Sequence, residues 1–234
     1  KEVLSFLNSS AVFLLDKYHI DGIRFDGVSS MLYLNYGVEN EKEKVFNKYG
    51  DEGNLEAISF IQNLNKIIGE NYNGVMTIAE ESTAWPNVTK PQDMQGLGFH
   101  YKWDMGWMHD TLNYLKSDFP YREKNHNMFT FSMSYAEAEN YVLSLSHDEV
   151  VHGKASIINK MPGDYDEKFA QIKVLLTYQL TRPGAKLNFM GNEIPEFIEW
   201  RYYESLEWFL LDIEKHKLHH DFVRTINKLY LKEK

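Results

Sequence analysis

Three acidic residues, each at the downstream end of a short apolar run, are the positions where this sequence can do chemistry. They are Asp26 in Gly-Ile-Arg-Phe-Asp (22–26), Glu80 in Val-Met-Thr-Ile-Ala-Glu (75–80) and Asp148 in Tyr-Val-Leu-Ser-Leu-Ser-His-Asp (141–148). Runs of this length and composition read as β-strands. Carboxyls on adjacent strands can stand ~5–5.5 Å apart, the separation at which one serves as nucleophile and the other as acid, then base, in cleaving a glycosidic bond with retention. Arg24 lies two residues before Asp26 and so shares its face of a strand. A guanidinium there keeps an aspartate ionised and oriented, as a nucleophile requires; a structural ion pair is the other reading of the same two residues. Glu80 comes at the end of an apolar approach, which would raise its pKa toward that of a working acid. Its neighbour Glu81 faces the other way on a strand, so only one of the two enters a site, and a solvated acidic loop is the plainer alternative. His147-Asp148 adds an imidazole for sugar hydroxyls and a third carboxylate for an oxocarbenium-like transition state.

These residues need elements to position them. Residues 2–19 carry apolar side chains at 3, 4, 7, 11, 14 and 15, which is helical spacing. Asp21-Gly22 then turns the chain into a strand at 23–26, and the polar segment 35–53 reads as a long surface loop, functional or mobile. A helix is expected from Asn54 to Gly69, a strand at 75–79, a third strand at Phe99–Trp103 and a helix from Met108 to Leu115. A strand at 141–146, a helix from Asp164 to Thr181 closed by Pro183-Gly184, a strand at Lys186–Met190 and a helix at Ile213–Leu231 complete the pattern. Strands alternating with helices imply α/β architecture with a parallel sheet, and in a (β/α)₈ TIM barrel the chemistry sits at the carboxyl ends of the strands. Five strands fall short of eight. With a start inside a helical pattern and no initiating Met, residues 1–234 read as the C-terminal portion, about five βα units, of such a barrel.

Composition narrows the classes. The formal charge is −9, which argues against a phosphate-tracking nucleic-acid surface. No apolar run approaches the ~20 residues of a membrane helix, and the first residues show no signal peptide. The absence of cysteine removes disulfides, thiolate metal sites and cysteine nucleophiles, and is compatible with a cytoplasmic location. Aromatic residues reach 15%; most are expected in the core, and the rest, with Trp103 and Trp107 as candidates, as platforms for a ligand with apolar faces and hydroxyl edges, as a sugar has. No metal and no cofactor is expected. His147 and His152 are five apart, not the four of a zinc-binding helix, and His216, His219 and His220 read as a solvated helix face.

Asp-Gly-Ile-Arg-Phe-Asp-Gly-Val-Ser-Ser-Met-Leu-Tyr (21–33), Thr-Ile-Ala-Glu-Glu-Ser-Thr (77–83) and Leu-Ser-His-Asp-Glu-Val-Val-His-Gly-Lys (145–154) resemble the signature regions of the α-amylase superfamily, glycoside hydrolase family 13. They resemble its 1,4-α-glucan (glycogen) branching enzymes in particular. Gly-Leu-Gly-Phe-His-Tyr-Lys-Trp-Asp-Met-Gly-Trp-Met-His-Asp (96–110) and Phe-Met-Gly-Asn-Glu (189–193) add to the likeness. The resemblance implies Asp26 as nucleophile, Glu80 as acid/base, Asp148 as transition-state stabiliser, and Arg24 and His147 as residues that support the nucleophile and hold the sugar. Glu81 joins the substrate-binding candidates. Ser29-Ser30 stands where hydrolytic amylases usually carry Lys-His, and Ser146 where they usually carry Asn; both match branching enzymes. The stretch 194–204 fits the bacterial pattern less well.

The implied activity is that of a bacterial, cytoplasmic glycosyltransferase of glycogen biosynthesis. It would cut an α-1,4-glucan and pass the chain to a 6-hydroxyl. The first signature region of the superfamily, the amino-terminal β-sandwich and the carboxyl-terminal β-domain of whole branching enzymes do not occur in the sequence, so the chain is expected to need the remainder of its barrel. An α-glucan hydrolase of the same superfamily and a catalytically inactive, amylase-like interaction domain are the rival readings.

Overall fold

The computed structural model describes residues 1–233, which divide into two compact units: residues 1–105 with 137–141, and residues 106–136 with 142–233. Each unit is built from parallel strands and the helices that join them, the α/β pattern expected.

In the first unit α1 (Glu2–Tyr18) ends at His19, whose left-handed backbone (φ 53°) lets its N–H bond back to the Leu15 carbonyl at 3.2 Å. The helix is where the periodicity puts it, but only Ala11 and Leu15 are buried, while Val3, Phe6 and Phe13 stay open. β1 (Gly22–Phe25) leads through a turn into a short helix, α2 (Val28–Leu32). The loop to residue 53 is cross-braced: the Asn35 amide donates to the Val45 carbonyl and accepts from its N–H, both at 2.9 Å. α3 (Leu55–Asn71) starts at Asn54, whose side-chain oxygen accepts the Ala57 N–H at 3.2 Å. Its inner face, Phe60, Ile61, Leu64 and Ile68, packs with Leu15, Val28, Leu32 and Phe99 in one apolar cluster. Burying each Leu or Ile of that kind is worth ~1.5–3 kcal/mol.

β2 (Met76–Ala79) pairs with β1 in parallel, Gly22 opposite Met76 and Phe25 opposite Ala79. β3 (Tyr101–Trp103) pairs with β2, Ala79 opposite Lys102. Gly96 in the preceding loop has to be glycine, since a Cβ there would lie 1.9 Å from the Lys90 carbonyl oxygen.

α4 (Met105–Lys116) leads into the second unit, all but its first residue belonging there, and is followed by two short helices, α5 (Phe119–Arg122) and α6 (His126–Thr130), which have too few residues to show a period. β4 (Tyr141–Leu145), β5 (Ala185–Asn188) and the intervening α7 (Tyr165–Thr181) form a βαβ crossover, with β4 and β5 parallel and Val142 opposite Ala185. α7 begins with a reciprocal cap: Asp164 accepts from the Glu167 N–H at 2.9 Å, and Glu167 accepts from the Asp164 N–H at 2.8 Å. The buried Gln179 amide on α7 donates to the carbonyls of Leu143 and Leu187, each at 2.9 Å, and so fastens the helix to both strands.

α8 (Glu214–Lys232) corrects one expectation. His216 and His219 are not on a solvated face; both are buried, with the Phe169 ring 5.0 and 5.9 Å away. Burial pulls the His219 pKa down to about 4. A histidine on the apolar stripe of an amphipathic helix can be buried among aromatic rings when its imidazole is neutral.

Candidate active site

The register of β1 and β2 builds the first half of the site. Residues 22–25 pair with 76–79, so Asp26 and Glu80 are the next two positions of the same ladder. Backbone bonds extend it that far: the Glu80 N–H donates to the Phe25 carbonyl at 2.9 Å, and the Val28 N–H to the Glu80 carbonyl at 2.9 Å. Parallel neighbours lie ~4.8 Å apart, which brings the two carboxyls to one face at the strand ends.

One guanidinium serves both. Arg24 donates through Nη2 to Asp26 Oδ1 at 2.8 Å and through Nη1 to Glu80 Oε2 at 3.3 Å. Its carbon sits 4.4 Å from the centre of the Trp103 ring, on β3. Gly27 takes a left-handed backbone (φ 56°) directly after Asp26, and its N–H donates to Glu80 Oε2 at 2.8 Å. A side chain at that φ would be strained. The Asp26 side chain is 81% exposed and that of Glu80 18% exposed. Burial is the largest influence on Glu80 and raises its pKa; the nearby Asp26 carboxylate, which shares a hydrogen bond with it, adds to the rise. The Gly27 N–H and Arg24 act the other way but do not cancel it.

Glu81 turns to the opposite face, as alternation requires. Expected among the substrate-binding residues, it is instead only 1% exposed and fully engaged inside the protein. It accepts from Lys102 Nζ at 2.6 Å, Ser29 Oγ at 2.8 Å, the Thr83 N–H at 2.9 Å and the Thr83 hydroxyl. Trp103 and Trp107 are likewise buried and offer no platform to a glucan. Trp103 backs the Arg24 guanidinium, and Trp107 packs near Tyr178. Large rings beside a charged site are as useful holding its side chains still as holding a ligand, and composition does not distinguish the two uses.

In the second unit β4 ends at Leu145, and His147 and Asp148 begin a single 3₁₀ turn, His147–Val150. Ser146 caps it, accepting the Asp148 N–H at 3.2 Å, while the Glu149 carboxylate accepts the Ser146 N–H. His147 Nε2 lies 3.5 Å from Asp148 Oδ1, and both side chains are partly exposed. Lys154 donates to the Asp148 carbonyl at 2.8 Å. The next loop is held from two sides. Glu199 accepts from the N–H groups of Gly153 and Ala155 at 3.1 and 2.6 Å, and Lys160 donates to the carbonyls of Lys154 and Ala155. Asp148 and Glu149 also border a cavity of about 400 Å³ lined by His109, Asn113 and Lys160.

The sequence reading picked out Arg24, Asp26 and Glu80, which the structure brings together, and His147 with Asp148, which it sets side by side. It missed the Gly27 N–H and the Lys102–Glu81–Ser29 cluster. The one sign of the latter was a lysine inside the apolar run Phe-His-Tyr-Lys-Trp (99–103). Among the described residues no group of three or more His, Asp or Glu is arranged to hold a metal ion, and no helix is long and apolar enough to cross a membrane.

No family model matches the chain. Whole-sequence comparison finds 56% identity over 233 residues with the 1,4-alpha-glucan branching enzyme GlgB of Desulfitobacterium hafniense, covering 100% of this chain and 37% of that protein. The enzymes of the same name from Halothermothrix orenii and Aquifex aeolicus are 55% and 53% identical, again over 100% of this chain and over 37% and 36% of theirs. The chain thus spans about a third of the length of the curated relatives it matches. Among solved structures, the type III pullulan hydrolase from Thermococcus kodakarensis superposes with a TM-score of 0.63 at 16% identity, over 97% of this chain and 36% of that one. That likeness establishes a shared fold. The strand-end carboxylates, the fold and full-length identity above one half make this chain a relative of the bacterial 1,4-α-glucan branching enzymes, aligned with about a third of each.

Proposed function

We propose that the whole protein is a retaining 1,4-α-glucan branching enzyme and that residues 1–234 supply the later βα units of its (β/α)₈ barrel. The observation that carries the chemistry is the pair Asp26 and Glu80, consecutive in one β-ladder and bridged by Arg24. Two carboxyls in different surroundings are what a double displacement needs. Asp26 is exposed and oriented by Arg24, so it attacks the anomeric carbon and carries the glycosyl chain as an ester. Glu80, with its pKa raised by burial, gives its proton to the departing 4-oxygen. It then takes the proton of the acceptor's 6-hydroxyl as the chain moves to form the α-1,6 branch.

Asp148 stabilises the oxocarbenium-like transition state and His147 donates to a hydroxyl of the sugar beside it; both roles rest on the resemblance of residues 145–154 to the family's signature. The partner is an α-glucan such as amylose or glycogen, and a glycogen-building role places the protein in the bacterial cytoplasm. Transfer prevails over hydrolysis when an acceptor sugar reaches the ester before water does.

The test is product analysis of the full-length protein on amylose. New α-1,6 linkages, seen by debranching or by their anomeric NMR signals, are expected from the unsubstituted protein and none from Asp26→Ala. Short linear sugars without branch points would overturn the transferase reading in favour of an α-glucan hydrolase. Activity near the unsubstituted level in Asp26→Ala would overturn the residue roles.

A further inference from the structure

We propose that the buried cluster Lys102–Glu81–Ser29 is the positioning device of the Asp26–Glu80 pair, so that Lys102 and Ser29 act on the reaction without touching substrate. The inference rests on the roles proposed for Asp26 and Glu80. It starts from the two faces of the sheet. Arg24, Asp26, Glu80 and Trp103 share one face; Phe25, Ala79, Glu81 and Lys102 share the other, against the helices. Each residue of the proposed catalytic pair therefore adjoins an anchor on the reverse side of the sheet. Glu81 is the residue after Glu80, and Ser29 is three residues after Asp26, in the first turn of α2.

The anchors meet at one point. The Glu81 carboxylate accepts from Ser29 Oγ at 2.8 Å and from Lys102 Nζ at 2.6 Å, and Ser29 Oγ in turn accepts the Ser82 N–H at 3.1 Å. Lys102 also donates to the Thr83 carbonyl at 2.9 Å. The ends of β1, β2 and β3 are thus joined through a single carboxylate, with Ser29, Glu81 and Lys102 all buried. A buried ion pair seldom adds net stability over a well-packed apolar substitute, and its best-attested use is to fix a register. Here the register is the one that sets the Gly27 N–H and Arg24 against Glu80 Oε2. A displacement of ~1 Å in such a pair can cost ~10²-fold in rate.

Removing the ammonium alone, in Lys102→Met, strands a buried charge and risks unfolding. The informative variants are therefore Ser29→Ala and the charge-neutral double variant Glu81→Gln/Lys102→Met, made in the full-length protein. Both are expected to melt cooperatively, to lower kcat at least ~10-fold and to leave KM within about twofold. That split is one a merely structural role would not produce. Crystal structures of the variants should show Glu80 Oε2 withdrawn from the Gly27 N–H, which it meets at 2.8 Å in the unsubstituted protein. The product made by the unsubstituted protein tests the proposed function; the place of Glu80 in the variants tests this inference, whatever that product is. Folded variants with unchanged kcat and Glu80 still bonded to Gly27 would overturn it.

Discussion

At the scale of single residues, the difference between Glu80 and Glu81 is one of environment alone. They are adjacent and chemically identical, yet one is a partly open carboxyl with a raised pKa and the other is buried, with Lys102 and Ser29 as its partners. A general acid must hold its proton at the working pH, so kcat/KM for glucan should fall on the alkaline side at a pH above the ordinary carboxylate range. In Glu80→Gln that limb should vanish. Turnover of glucan should drop by ~10²–10⁴-fold, with a much smaller loss on an α-glucosyl fluoride, whose leaving group needs no proton. A pH–rate profile on both donors measures this, and an unchanged alkaline limb in Glu80→Gln would assign the proton donor elsewhere. The alternation of strand faces was legible in the sequence, which already admitted only one of the two glutamates to a site. That Glu81 has its own partner was not, because Lys102 lies 21 residues on, and only the β2–β3 register, with Ala79 opposite Lys102, brings its ammonium within reach.

At the scale of elements, long helices and strands before acidic residues were legible because period and punctuation agree there. Asn54 and Asp164 stand as caps where α3 and α7 begin. Short elements were not: α2, α5 and α6 have five residues or fewer, and a stretch that short fits many patterns. Burial was the harder inference. Helical spacing in α1 says which residues share a face, not that the face is covered, and the His residues of α8 were read by polarity although they lie on its packed stripe. Two measurements test the packing. Gln179→Leu removes the donor shared by the Leu143 and Leu187 carbonyls and should cost ~1–3 kcal/mol, read as a lower denaturation midpoint at unchanged slope. His219, at about 4 when folded against 6.5 as its ordinary value, binds its proton more readily in the unfolded chain. Stability should therefore fall as pH drops from about 6.5 to 4 and level off below, by up to about 3 kcal/mol from this group. The effect should shrink in His219→Leu. A stability that stays flat across that window would mean that His219 is not held neutral by burial.

At the scale of the whole molecule, the described residues leave much surface unpartnered. β1 pairs among them only with β2, and β5 only with β4, so each presents an edge that another strand can join. Val3, Phe6 and Phe13 of α1 are 70%, 72% and 52% exposed. Residues 1–234 produced alone should therefore self-associate and show no branching of amylose by iodine staining, whereas the full-length protein, on the proposed function, should stay dispersed and branch it. Light scattering with the activity assay decides it; a soluble, active monomer of these residues would remove the need for further barrel units.

The sharing of Arg24 between Asp26 and Glu80 has a consequence for timing. In the structure the Asp26 carboxylate adjoins Glu80 and helps it keep its proton, the state the proposed first step needs. If Asp26 becomes an ester as proposed, that charge is lost, while Arg24 and the Gly27 N–H remain and favour the carboxylate form of Glu80. The same event that empties Glu80 of its proton thus readies it to take the next one. In the proposed mechanism the progress of the reaction itself would reset the site, and the interval in which Glu80 stays deprotonated would be the interval in which an acceptor hydroxyl can be engaged.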